Sequence, residues 1–128
     1  MRPRTMTFPL ACGLAVALLS GCATEKAPAT ADVAVSRNAV ENATTAGAAE
    51  LAPAEMAAAR EKMLRANQAL AAKDYQLARD LATQAQADAK LAQSKANSAK
   101  ATAAANTLQE DIRVLREELD RVNSNLTK

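Results

Sequence analysis

The side chains of this 128-residue chain that could do covalent chemistry are few. There are two cysteines, Cys12 and Cys22, and no histidine. A cysteine thiolate is a good nucleophile toward an alkyl or acyl donor. Without histidine, the commonest general base and metal ligand is missing. Ser94 and Ser98 have no base near them and read as small polar residues on a helix. Glu117, Glu118 and Asp120 alternate with Arg113, Arg116 and Arg121, the pattern of a solvated helix face rather than of a metal site. There is no Cys/His cluster for zinc, no Asp-rich calcium loop and no Gly-rich phosphate loop. Tyr75, the one tyrosine, follows a helix cap and reads as a packing residue. No catalytic residue, cofactor, metal site or small-molecule substrate site is therefore nominated, and the expectation is a protein that is not an enzyme.

Cys22 stands in a context that gives it a role. Residues 1–7 carry Arg2 and Arg4, and residues 8–19 form an apolar run of roughly 12 residues, too short to cross a bilayer and right for the core of an export signal. The run ends in Leu19-Ser20-Gly21-Cys22, which resembles the lipobox of bacterial lipoproteins. That resemblance implies a diacylglyceryl group on the Cys22 thiol, cleavage before Cys22 and acylation of the freed amine. Three acyl chains hold a protein on a bilayer, where one binds only marginally. Ala23, rather than Asp, after Cys22 implies, by the same analogy, the periplasmic face of the outer membrane of a Gram-negative bacterium. Cys12 falls in the discarded leader.

The remainder from Cys22 contains 31 Ala and only 16 Leu, Ile, Val or Phe. A thick β-sandwich or α/β core is hard to build from so few large aliphatics, and the apolar positions have helical period. The 14 basic and 14 acidic residues of that stretch balance, and with one aromatic there is little to hold nucleic acid. Residues 22–30 read as a lipidated flexible tether. Thr30 then caps a weak helix over about 31–45, with Val33, Ser36, Val40 and Ala43 on one stripe and Gly47 as its stop. After a loop over 47–53, a second helix covers about 54–72, with Met56, Ala59, Met63, Ala66 and Leu70 in line. Lys73 and Asp74 form a tight connection, Asp74 capping the next helix, and so short a link forces an antiparallel hairpin.

The last helix has an alanine at 78, 82, 85, 89, 92, 96, 99 and 103, in steps of four and three. The apolar phase then shifts, and Leu108, Ile112, Leu115, Leu119, Val122 and Leu126 resume the alternation with bulky residues. No Gly or Pro interrupts residues 75–128, so one helix is expected, although Thr107-Leu-Gln-Glu110 could cap a new one near Asn106. The lengths leave roughly 50 Å of this helix beyond anything the hairpin covers. With Ile112 at heptad position a, Asp111 falls at g and Arg116 at the following e, the attractive pairing of parallel chains. A parallel homo-oligomer through residues 108–126 is accordingly expected, with another envelope protein as the other possible partner and a folded-back or monomeric helix as the alternative.

The fold class expected is all-α: an antiparallel helical hairpin or three-helix bundle with a long C-terminal helix ending in a coiled-coil segment. Its parts are a signal peptide (1–21), the lipidated tether (22–30), an alanine-rich helical domain (31–105) and a coiled-coil tail (106–128). Gly47-Ala-Ala-Glu-Leu-Ala-Pro-Ala-Glu-Met, the Ala-Ala-Lys-Asp-Tyr75 turn and Gln84-Ala-Gln-Ala-Asp-Ala-Lys-Leu-Ala92 occur in that order. Over about residues 31–105 the chain resembles the alanine-rich lipoprotein family of domain of unknown function 4398. The resemblance implies a helical envelope domain, in some members followed by a peptidoglycan-binding domain that is missing here, and it carries no catalytic residues. The leading expectation is a lipid-anchored periplasmic scaffold or adaptor. The alternative is a peptidoglycan tether bonded through Lys128, similar in plan to the murein lipoprotein but without its Tyr-Arg-Lys ending.

Overall fold

The computed structural model describes residues 23–127. Residues 1–22 and Lys128 lie outside the described residues, and so do the signal-peptide, acylation and wall-linkage readings that rest on them. Four helices follow one another: α1 (Ala23–Thr45), α2 (Ala48–Leu51), α3 (Pro53–Ala71) and α4 (Tyr75–Leu126). The fold is all-α, with no strand among the described residues. Of the two architectures expected, it is the three-helix bundle, with α1 and α3 both packed on α4.

Local chemistry sets most of the boundaries. Gly47 has φ 77°, a left-handed conformation in which a side chain would be strained. Its N–H donates to the Thr44 carbonyl and ends α1. Pro53 opens α3 at a position that needs no N–H donor. At the hairpin, Lys73 takes φ 63°. The Lys73 N–H donates to the Leu70 carbonyl and the Asp74 N–H to the Ala69 carbonyl, the paired bonds of a Schellman ending. Asp74 then caps α4, its Oδ1 accepting from the Leu77 N–H at 3.1 Å.

Three expectations need correction. Residues 23–30 are helical, not a flexible tether: α1 starts at Ala23 and runs through Pro28. Ala29 is fully buried, so packing on α4 extends α1 upstream, and it does so although Pro28, inside the helix, withholds the backbone donor that would bond the Thr24 carbonyl. Thr30 is consequently no cap; its hydroxyl donates to the Lys26 carbonyl at 2.9 Å. The segment 47–53 contains a short helix, α2, where a loop was expected. The unsupported length of α4 is also smaller than the helix lengths alone suggest. The Lys100 side chain reaches Gly47 at the far end of the bundle, which leaves residues 101–126, about 39 Å, beyond it.

The core is an alanine seam. Ala78, Ala82, Ala85, Ala89, Ala92 and Ala96 of α4 have no exposed surface. They meet Val33 and Ala43 of α1 and Met56, Ala59, Met63 and Ala66 of α3 in two clusters, one toward the hairpin and one toward α2. Ser36, buried between them, donates its hydroxyl to the Ala82 carbonyl. A serine can be buried there because that acceptor is within reach. Ion pairs tie the helices at their margins. Arg79 meets Asp32 of α1 at 3.0 Å, Lys62 of α3 meets Asp88 at 2.6 Å, and Lys95 meets Glu55 of α3. These pairings set the directions: α1 runs parallel to α4, and α3 runs antiparallel to it.

Candidate functional site: the exposed stripe of the long helix

Helix α4 is unbroken through Asn106, so the possible cap at Thr107 is not used; the Thr107 hydroxyl donates to the Ala103 carbonyl instead. The sequence-predicted stripe lies on the free part of this helix. Leu108, Leu115, Leu119 and Leu126 are 61%, 63%, 62% and 79% exposed. Val122 is 44% exposed, and Ile112 is half-buried. The six residues are brought onto one face, and no described residue of the chain covers them. Large aliphatics are worth about 1.5–3 kcal/mol each when fully buried, so a row of them in water is a standing drive toward association.

Which face they occupy is decided by the phase shift after Ala103. Leu108 stands five positions after Ala103, a turn of roughly 140° at 100° per residue. The bulky stripe therefore points away from the side on which α1 and α3 pack. Continuing the alanine seam in its own four-three rhythm leads to Asn106, Glu110, Arg113, Glu117, Asp120 and Ser124, all polar. Arg113 joins this face together, meeting Glu110 through Nη2 at 2.5 Å and through Nε at 3.1 Å, and meeting Glu117 one turn on. The hydrogen bond from Arg113 holds the Glu110 carboxyl below the usual carboxylate range, and Glu110, then Glu117, raise the guanidinium in return. The bundle-side face of the extension is thus a solvated charge ladder.

Elsewhere, the Lys95 ammonium bonded to Glu55 holds that carboxyl below its ordinary value, a consequence of interhelix lashing. An open hollow of about 280 Å³ lies at the hairpin end, between Arg65, Asp74, Leu77 and Leu81. Among the described residues no group of three or more acids or thiols gathers to hold a metal ion, and no helix is long and apolar enough to cross a membrane. Tyr75 is half-buried at the start of α4. The interhelix ion pairs and the Ser36 bond were not found from the sequence, since each joins residues 26 to 47 positions apart.

Fold and stripe together define a small helical bundle that carries a long single-helix extension with one exposed apolar face. The family model for Domain of unknown function (DUF4398) matches residues 31–108. The chain belongs to that family. Its matched span covers most of the bundle and ends where the bulky stripe begins. No curated protein and no solved structure matches the chain.

Proposed function

We propose that this protein is a non-catalytic lipoprotein scaffold or adaptor, held by acyl chains on Cys22 at the periplasmic face of the outer membrane. In this reading the bundle is a spacer and residues 106–128 meet a protein partner. The observation that carries it is the exposed stripe of residues 108–126 on an extension of α4 about 39 Å long. The anchor is supported by the order of cationic segment, apolar run and Leu-Ser-Gly-Cys22. The polarity of the fold agrees with it. Because α1 runs parallel to α4 and overhangs its start by roughly five residues, Ala23 and the stripe are at opposite ends of a rod about 85 Å long.

The test uses the full chain made in Gram-negative cells. Mass spectrometry of the purified protein is expected to show a chain starting at Cys22 and carrying fatty acid, and Cys22→Ala to lose it. A photoreactive residue at Leu115 is expected to form protein adducts in intact cells, and one at Glu117 not to do so. An unprocessed or unacylated chain would overturn the anchor, and the same yield at both positions would overturn the docking face.

A further inference from the structure

The stripe is longer than its bulky part. The four-three rhythm of residues 108–126, extended upstream, runs without a miss through Ala105, Ala101, Ser98, Ser94, Leu91 and Ala87. All six are exposed, Leu91 to 49%. They lie on the outer side of α4, away from the alanine seam that receives α1 and α3. Twelve successive positions from 87 to 126 are therefore uncharged, although 12 of the 40 residues in that span are charged. A partner helix can reach this seam, because α1 and α3 pack on the other side of α4.

The flanking charges choose the occupant. In this frame Asp111 is at g and Arg116 at e, and among the described residues neither is engaged in an ion pair within its own chain. In a parallel pair Asp111 of each copy faces Arg116 of the other, twice over. In a fully overlapped antiparallel pair Glu118 faces Glu118 and Arg116 faces Arg116, and Ala87–Ala105 are left uncovered. The one like-charged parallel contact, Lys90 with Lys95, is relieved because Lys95 is drawn to Glu55 of its own chain. Ile112 at a between Leu108 and Leu115 at d is the arrangement that favours two strands, while Leu119 and Leu126 at a about Val122 at d reverse it, so the choice of a parallel pair rests on the flanking charges. A bilayer surface fits less well. Residues 108–126 carry five acidic and three basic side chains, net −2, which an anionic surface does not attract.

We infer that two copies of this chain pair in parallel along the outer face of α4, over residues 87–126, with small residues bringing the backbones close upstream and large ones closing the seam downstream. The inference rests on the docking-face reading above and names its partner. The seam is roughly 58 Å long, about twice the length of the bulky stripe alone, and both anchored ends emerge on the same side.

Single cysteines introduced into the full chain in intact cells test it: Ser98→Cys, Leu115→Cys and, on the opposite face, Glu117→Cys. After mild oxidation, Ser98→Cys and Leu115→Cys are expected to give most of the chain as a covalent dimer of twice the mass. Glu117→Cys and the parent chain are expected to give at least tenfold less. Linkage at Leu115 without linkage at Ser98 overturns the extended parallel seam, since an antiparallel pair holds the two Ser98 positions tens of ångströms apart. No linkage at either position overturns self-pairing. If a photoreactive Leu115 then captures a different protein or lipid, the copy-to-copy inference fails while a docking face remains; if it captures nothing, the docking face fails as well.

Discussion

Each alanine in the seam of α4 is there because a methyl group is what the gap between three backbones admits. Ala89 is fully buried between α1 and α3, and larger side chains in such a gap force the helices apart. Ala89→Leu is expected to destabilise the fold by about 1–3 kcal/mol in urea unfolding followed by circular dichroism. Ala104→Leu, on the exposed extension, is expected to stay within about 0.5 kcal/mol. Equal effects at the two sites would mean that the seam is not packed. The rhythm of the alanines made this seam legible in the sequence, as did the Val33, Ser36 and Ala43 stripe. The acceptor of Ser36 was not legible, because the Ala82 carbonyl is brought to it by helix packing rather than by sequence spacing.

At the scale of elements, the turn between α3 and α4 is the most tightly specified. Its paired backbone bonds require a left-handed residue at position 73, and the sequence supplies lysine. A left-handed conformation costs an L-residue roughly 1–2 kcal/mol, while glycine adopts it freely at some loss of chain entropy. Lys73→Gly is therefore expected to stabilise the fold by about 0.5–1 kcal/mol in equilibrium unfolding; a loss of stability would mean that the lysine side chain matters to the turn. The Asp74 cap and the hairpin were readable because the chemistry of a cap is local. The start of α1 was not: residues 23–30 look like a linker by their Pro28 and lack of period, yet they are helical where Ala29 packs. The upstream outer seam was hidden for another reason. Ser94 and Ser98 look unremarkable beside an alanine rhythm in a different phase, and only the burial of that rhythm marks the other phase as exposed.

For the whole molecule, the stripe and the Ala23 end of α1 are separated by the length of the bundle, so association through α4 and the lipid attachment proposed at Cys22 do not compete for the same surface. If pairing is by mass action, the melting midpoint of the full chain is expected to rise with protein concentration. A chain ending at Lys100 is expected to show no such rise. At low concentration the two are expected to melt alike, because none of residues 101–126 belongs to the buried core. A truncated chain that unfolds at every concentration would show that the extension supports the bundle.

By itself, the sequence determined what depends on near neighbours: an all-α chain, its family, the cap at Asp74, the stop at Gly47, and two apolar stripes of different bulk on one long helix. These follow from period and capping, which act within a turn or two. Tertiary packing decided that α1 joins α4 as a third helix, how far upstream it extends, where the cover over α4 ends, and that its bulky stripe faces away from the bundle. Each of these depends on which surfaces meet across tens of residues, and burial between helices is settled only when the backbones are placed side by side.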